Sequence, residues 1–366
     1  MNTFTLLGSF YREDVITDFL ANLINEEIAF ADWFMKTICD TYLLDNEKVK
    51  ARTRVGLGKG IGTPDLIIEK KNGLEETNMI IVIENKLGAL EGVEQTNRYA
   101  SEQGKNALIK ELNLKNDVPF KFLFLTLDPY TPASNKEFQK QDYRAFLDVD
   151  WSNYVNHPVA ELLLRDYSKL LNDFYQPVLN CKPTDYIAKT TEKLNGLQKK
   201  LIWINILQRT TKLSHLTMTF GEAGGSGRST AVFLFSKTGW KQDKFDGNIL
   251  LPTSANIHFE LAVNLLDYSN VKDFHLHYEP NPYKPKDRYI NVKGYSEYDK
   301  LRAKRREKFH EEIKKLTCYN ILTPRTTSNS FLRIILNENE RFEEVINQIA
   351  TIMNQITPLI DDMINE

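Results

Sequence analysis

Residues 64–86 constrain the fold of this chain more than any other stretch. Two apolar, β-branched runs at 66–68 and 79–83 flank an Asn-Gly pair and a polar segment. This pattern is typical of an antiparallel β-hairpin. A turn near Leu74 places Asp65 opposite Glu84, because antiparallel partners lie symmetrically about the turn.

Acidic and basic side chains meet at the open end of this predicted hairpin. Glu84 and Lys86 are two residues apart, so they project from the same face of their strand, and Asp65 joins them from across the ladder. Two carboxylates roughly 4 Å apart repel by about 4 kcal/mol at an effective dielectric constant of about 20. A divalent cation removes this repulsion, and hard oxygen ligands select Mg²⁺ or Mn²⁺.

The spacing of these residues resembles a known nuclease motif. Pro64-Asp65, eighteen intervening residues and then Glu84-Asn85-Lys86 are similar to the PD-(D/E)xK motif of the restriction-endonuclease-like nuclease superfamily. The resemblance implies that Asp65 and Glu84 hold the metal, that the Asn85 carbonyl adds a ligand and that Lys86 orients or activates the attacking water. The motif is short, and an ordinary exposed strand pair beside a turn is the competing interpretation.

Two flanking helices extend the resemblance. Gln95 and Tyr99 share one face of a helix predicted over 94–112, and they are similar to the Gln-x-x-x-Tyr element of RecB-like members. Upstream, Glu13 opens an amphipathic helix, as does the N-terminal acid that completes the metal site in many members. Asp14 is a rival for this role, and either acid also suits the positive end of a helix.

The order of predicted elements agrees with the superfamily core. Apolar periodicity predicts two helices over 10–42, a strand over 48–55 before the hairpin, and a buried strand over 122–127 after a helical crossover. An edge strand at 146–151 and a helix at 157–175 follow. We expect an α/β fold with a restriction-endonuclease-like core, which is a mixed central sheet flanked by helices.

At 366 residues the chain is longer than one average domain. Prolines interrupt the sequence pattern near the middle of the chain. We place the domain boundary there, between a nuclease domain, 1–178, and a second domain, 179–366. The second half begins with a long predicted helix, 185–212, continues with β-rich sequence and ends with an amphipathic helix, 341–366. We expect an α+β domain whose last helix either closes it or makes a homodimer contact.

A basic, tyrosine-rich segment at 283–315 is the candidate nucleic-acid contact of the second domain. Lysine and arginine neutralise phosphates, and tyrosines stack on unpaired bases. A solvated helix face is the competing interpretation. The candidate nucleic-acid-binding residues are Arg302, Lys304, Arg305 and Arg306.

His275 and His277 form a second candidate metal pair. They are two residues apart on a strand predicted over 274–278, so both project from one face. Since no cysteine is nearby in the sequence, ordinary buried or solvated histidines are the competing interpretation.

Composition indicates the compartment. The cysteines, Cys39, Cys181 and Cys318, are odd in number and widely spaced, which argues against a disulfide framework or a zinc site and for a reducing cytoplasm. No basic leader followed by an apolar stretch and no bilayer-length apolar run is present, so we expect no membrane partner. The net charge of −2 does not decide whether nucleic acid binds, because positive charge can be local.

These observations predict a Mg²⁺- or Mn²⁺-dependent nuclease. The resemblance to the superfamily implies nucleic acid, with DNA favoured, as substrate, and a role in bacterial restriction, phage defence or repair. The competing hypothesis is a catalytically silent nucleic-acid-binding or regulatory sensor protein built on the same fold.

Overall fold

The structure is a computed structural model, and it divides into two compact units, Met1–Gln176 and Pro177–Glu366. The division lies close to the domain boundary predicted after residue 178. The structure describes residues 2–88, 91–114, 118–209, 213, 215–222, 229–242, 245–246, 249–266, 269–281, 289–326, 329–336 and 340–365.

A mixed five-stranded sheet forms the centre of the first unit. Its strands, in spatial order, are β1 (Lys48–Thr53), β2 (Leu66–Lys71), β3 (Thr77–Lys86), β4 (Phe120–Thr126) and β5 (Phe138–Asp142). The pairs β1–β2 and β2–β3 are antiparallel, whereas β3–β4 and β4–β5 are parallel. The predicted α/β class and mixed central sheet are therefore confirmed.

The hairpin of β2 and β3 has the predicted register. Leu66 pairs with Ile83, so Asp65, which directly precedes β2, comes level with Glu84. The turn is stabilised by Asn72, whose side-chain oxygen accepts two backbone N–H groups of the same turn. The ends of both strands that carry the predicted metal ligands therefore meet at one place.

Helices surround this sheet. They are α1 (Thr3–Leu6), α2 (Glu13–Glu26), α3 (Ile28–Thr37), α4 (Gln95–Ala100), α5 (Glu102–Glu111) and α6 (Pro158–Asn180). Alternate strand residues such as Ile67, Val82 and Phe122 pack with Tyr99 of α4 and Leu108 of α5 in one buried cluster. Glu84 lies on this same face, because strand side chains alternate.

Two predicted elements of the first unit need correction. The single helix predicted over 94–112 is broken at Ser101, whose hydroxyl accepts the backbone N–H of Gly104 and begins a new helix. The edge strand predicted at 146–151 is wrong, because short 3₁₀ turns occupy this region and β5 forms the edge instead. Asp142 and Asp150 begin these turns by accepting backbone N–H groups two residues later.

The second unit contains a larger antiparallel sheet. Its main order is β13–β14–β12–β11–β7–β6, with β8 paired to β11 and a separate two-stranded ladder of β9 and β10. The strands are β6 (Thr217–Glu222), β7 (Thr230–Ser236), β8 (Lys241–Gln242), β9 (Phe245–Asp246), β10 (Ile249–Leu250), β11 (Ala255–Asn264), β12 (Val271–Glu279), β13 (Leu322–Pro324) and β14 (Ser330–Ile334). The sequence prediction missed β13 and β14.

Four helices of the second unit are described: α7 (Ile187–Thr191), α8 (Gly196–Gln208), α9 (Tyr295–Ile313) and α10 (Phe342–Asn365). The long helix predicted over 185–212 is wrong, because Asn195 and Gln198 form a capping box that starts α8. Residues 210–212 lie outside the described residues, as do residues 283–288 of the predicted basic segment. Ile349 and Ile356 on the apolar face of α10 are fully buried.

Across the described parts of the chain, no helix has both the length and the hydropathy to cross a membrane.

Candidate active site and metal centre

The last three residues of β3 form the base of the candidate site. Glu84, Asn85 and Lys86 are buried, with exposed fractions of 0 %, 2 % and 7 %. Strand alternation places Glu84 and Lys86 on one face and Asn85 on the other. Because a buried charge is costly unless it is paired, the two charged side chains need partners close by.

Lys86 lies among three carboxylates that come from three different segments. Its Nζ atom is 2.5 Å from Glu84 Oε1, 3.3 Å from Glu13 Oε2 and 3.8 Å from Asp65 Oδ2. The structure thus brings the predicted residues of α2, of the segment before β2 and of β3 to one point. Three carboxylates and one ammonium leave this cluster with an excess of negative charge.

The choice between the two N-terminal acids is settled by their contacts. Glu13 Oε1 accepts the backbone N–H of Leu87 at 2.9 Å, and its other oxygen faces Lys86. Asp14 instead pairs with Arg12 in an exposed ion pair. Of the two acids, Glu13 is therefore the one that lies beside Lys86.

Asp65 is held in place by the neighbouring strand. Its Oδ2 accepts the backbone N–H of Asn85 at 2.8 Å, and burial raises the pKa of Asp65. A carboxylate fixed by a backbone donor points in a defined direction, so Asp65 is pre-positioned beside Glu84 and Lys86.

Glu84 has a strongly raised pKa. Burial and the neighbouring Asp65 carboxylate raise the pKa of Glu84 to about 8. Within the described residues neither carboxylate oxygen makes a hydrogen bond of acceptable geometry, although Oε1 is in ion-pair contact with Lys86. Burial alone would lower the pKa of Lys86, but Glu84 and Asp65 raise it above its ordinary value, so Lys86 stays protonated.

Asn85 is anchored by two side chains that sequence reasoning missed. Its Nδ2 donates to Thr17 Oγ1 at 2.9 Å, and its Oδ1 accepts the Tyr143 hydroxyl at 2.8 Å. Thr17 donates in turn to the backbone oxygen of Glu13. Thr17 follows Glu13 by four residues on the same helix face, which is a signal available in the sequence. Nothing in the sequence pointed to Tyr143.

Gln95 and Tyr99 form a pair on α4, as the motif resemblance implied. Gln95 Nε2 donates to the Tyr99 hydroxyl at 3.1 Å, and the backbone N–H of Gly92 donates to Gln95 Oε1. Tyr99 is buried, and burial raises its pKa, with the Glu84 and Asp65 carboxylates adding to the shift. The ionisation of the Tyr99 hydroxyl is therefore disfavoured by the charges of Glu84 and Asp65.

The donor set suits a hard cation. Among the described residues, no three His, Cys, Asp or Glu side chains already surround one point as metal ligands. Glu13, Asp65 and Glu84 surround the Lys86 ammonium instead. Glu84 Oε2, which has no hydrogen-bond partner among the described residues, the other carboxylate oxygens and the carbonyl of Asn85 are nevertheless the kind of oxygen ligand that Mg²⁺ or Mn²⁺ prefers.

The predicted nucleic-acid residues on α9 are only partly surface residues. Arg302 and Arg305 are wrong as candidates, because both are buried. Arg302 Nε donates to the backbone oxygen of Tyr278, and Arg305 donates to the Tyr278 hydroxyl and to a carbonyl near the end of α10. Lys304 is exposed, whereas Arg306 is half-buried.

No family model, curated protein or solved structure matches this chain. The chemical interpretation of the site therefore depends on its own side chains.

Proposed function

We propose that the first unit is a metal-dependent nuclease that hydrolyses phosphodiester bonds, with DNA as the favoured substrate. The observation that carries this proposal is the convergence of Glu13, Asp65 and Glu84 on Lys86 at the end of β3. The similarity of Asp65, Glu84 and Lys86 to the PD-(D/E)xK motif supports the same reaction.

The cation proposed for this site is Mg²⁺ or Mn²⁺. Asp65, Glu84 and the Asn85 carbonyl would hold it, and Glu13 would complete the set. When bound, such an ion polarises the scissile phosphate and lowers the pKa of a coordinated water. The buried Glu84 Oε2, which has no hydrogen-bond partner among the described residues, supports this assignment, because buried polar atoms normally have partners.

The protein side chains have separate tasks in this proposal. Lys86 is protonated and buried, so it can position the attacking water and stabilise negative charge that develops on the phosphate. Thr17 and Tyr143 fix Asn85, so the backbone carbonyl of Asn85 has a defined direction. Gln95 and Tyr99, which are hydrogen-bonded to each other, orient the substrate or Lys86.

The biological role we propose is restriction, phage defence or repair in a bacterial cytoplasm. On the second unit, Lys304 is exposed, and it is the member of the predicted basic set that we propose for contact with a phosphate backbone.

The test is a cleavage assay on the full chain. Linear duplex DNA, circular duplex DNA, single-stranded DNA and RNA are each incubated with Mg²⁺, Mn²⁺ or EDTA. The informative variant is Glu84→Gln, which keeps the shape of the side chain and removes its charge. The matched control is Glu75→Gln, because Glu75 is an exposed glutamate at the opposite end of the same hairpin.

Metal-dependent cleavage by the wild type and by Glu75→Gln, with none by Glu84→Gln, is the expected result. Cleavage that persists in Glu84→Gln or in EDTA would overturn the proposed mechanism. Binding of a nucleic acid without cleavage under every condition would favour the alternative of a catalytically silent binding or sensor protein.

A further inference from the structure

The glycine-rich connection between β1 and β2, residues 54–65, lies beside the proposed metal site, and we call it the glycine loop. It leads directly into Asp65. Its two ends are joined by a hydrogen bond from the backbone N–H of Arg54 to the carbonyl of Asp65, with 3.1 Å between N and O. Because β1 ends and β2 begins here, the glycine loop projects from the same end of the sheet that carries Asp65 and Glu84.

Two apolar side chains anchor the glycine loop to the first unit. Leu57 and Ile61 are buried in the same cluster as Tyr99, and the backbone N–H of Leu57 donates to the carbonyl of Gly62 at 3.0 Å. On α4, Arg98 donates from Nε to the carbonyl of Ile61. Both sides of the loop are therefore held in place, and the second side is held by α4.

The tip of the glycine loop, Gly58-Lys59-Gly60, is exposed. In the described part of the chain, the backbone N–H groups of these three residues make no hydrogen bond and the Lys59 ammonium makes no ion pair. Gly58 and Gly60 have φ angles of +90° and +89°, and a Cβ atom added to either would meet nothing within 4 Å. The tip thus offers backbone donors and an ammonium without protein acceptors.

Arg54 adds a guanidinium at the start of the glycine loop. Its side chain is about half exposed, and its Nη2 atom lies 2.8 Å from Asp18 Oδ2. The hydrogen bond to Asp18, together with the charges of Asp14 and Asp65, raises the pKa of Arg54, so Arg54 lies within electrostatic reach of the proposed metal ligand Asp65. Because an exposed ion pair contributes little to stability, a phosphate can replace Asp18 as its partner.

These donors match the chemistry of a nucleic-acid backbone. Phosphates are bound by Lys and Arg side chains and by backbone N–H groups, and glycine lets the backbone come close to a ligand because it has no Cβ atom. The carboxylates of the metal site carry an excess of negative charge around Lys86, which repels a polyanion. Positive charge on the adjacent loop offsets this repulsion.

We propose that the glycine loop binds the phosphate backbone of duplex DNA next to the scissile phosphate, an inference that rests on the nuclease function proposed above. Lys59 and the N–H groups of the tip bind one phosphate, and Arg54 binds a neighbouring one. Phosphate contacts carry no sequence information, so the loop positions the duplex without selecting its sequence.

The test measures the affinity of a fluorescent DNA duplex in Mg²⁺ at several salt concentrations. Every protein is the full chain with Glu84→Gln, so that the duplex is not cleaved. For B-form DNA, the logarithm of affinity falls with the logarithm of salt concentration by about 0.9 per neutralised phosphate. Lys59→Met should therefore lower this slope by about one and weaken binding by about eightfold at about 0.1 M salt. Lys59→Arg keeps the charge and should bind as the parent protein does.

Lys48→Met is the matched control, because Lys48 is an exposed lysine at the opposite end of β1. It should not change binding. Equal affinity and salt slope in Lys59→Met and Lys48→Met, or absence of duplex binding in every protein, would overturn the loop proposal. The cleavage assay with the wild type decides the nuclease proposal separately, since binding that depends on Lys59 without any cleavage would support the loop and contradict the nuclease.

Discussion

The carboxylate of Asp65 accepts the backbone N–H of Asn85, with 2.8 Å between Oδ2 and N. This bond joins the segment before β2 to the end of β3, and so it fixes one proposed metal ligand relative to the next. The bond needs an oxygen acceptor but not a charge, which allows geometry and charge to be tested separately.

Asp65→Asn should leave the fold intact and abolish metal-dependent cleavage. The amide oxygen can still accept the Asn85 N–H, so we expect the free energy of unfolding to change by less than about 1 kcal/mol. Cleavage should fall to background, because the charged ligand is gone. Urea denaturation and the cleavage assay are the measurements. Near-wild-type cleavage by a folded Asp65→Asn protein would remove Asp65 from the site.

Lys86→Met should abolish cleavage while it strengthens Mg²⁺ binding. The variant keeps the length of the side chain but removes the ammonium among the three carboxylates, so a metal ion meets less repulsion. We expect the Mg²⁺ affinity to rise by about tenfold or more. Calorimetry gives the affinity, and Lys70→Met is the control, because Lys70 is a partly buried lysine of the same hairpin that pairs with Glu47. Weaker Mg²⁺ binding in Lys86→Met would contradict this arrangement.

Metal-free protein should lose stability as the pH rises, because of Glu84. The folded-state pKa of Glu84, about 8, lies above its ordinary value of 4.5. Its protonated form is therefore favoured by folding, and this stabilisation is complete below the ordinary pKa and lost as the pH rises through about 8. Urea denaturation in EDTA between about pH 5 and about pH 8 should show wild type declining relative to Glu84→Gln. Parallel curves for the two proteins would show that Glu84 has no raised pKa.

Tyr143→Phe should weaken the metal site from a distance. The variant leaves the buried Asn85 Oδ1 without its donor, which costs about 1–3 kcal/mol of stability. Tyr175→Phe is the matched control, because it removes an equally buried hydroxyl that donates to the backbone oxygen of Leu127. Both variants should lower the denaturation midpoint, but only Tyr143→Phe should also weaken Mg²⁺ binding. Equal Mg²⁺ affinities in the two variants would show that Tyr143 has only a structural role.

Arg305 and Lys304, two neighbouring basic residues on α9, should contribute differently to the stability of the protein. Arg305→Met leaves the Tyr278 hydroxyl and a carbonyl of α10 without a donor, so we expect a loss of about 1–3 kcal/mol of stability. Lys304→Met changes an exposed side chain and should shift stability by less than about 0.5 kcal/mol. Urea denaturation of both variants is the measurement, and the reverse order would contradict the burial of Arg305.

The parts of the fold that sequence predicted well are those set by local patterns. The hairpin register followed from strand alternation about one turn, and the pairing of Leu66 with Ile83 confirms it. The break at Ser101 was missed although serine is a preferred N-cap residue, because the helical pattern continues on both sides of it.

Contacts between distant segments could not be predicted in the same way. Tyr143 reaches Asn85 across 58 positions of sequence, and no local pattern records such a contact. Arg302 and Arg305 belong to a basic helix whose buried face is decided by its packing in the folded unit, so composition alone suggested the wrong surface.

The register of the β2–β3 hairpin also determines where the chain can change length. The turn around Asn72 lies at the end of the hairpin opposite Asp65 and Glu84, so an insertion there lengthens a surface loop and leaves both acids in place. A single residue inserted within β2 would shift its pairing register by one residue. The β2 side chains on one side of the insertion would then project from the other face of the sheet. Asp65 and Glu84 would then project from opposite faces of the sheet, although no residue of the site had been replaced.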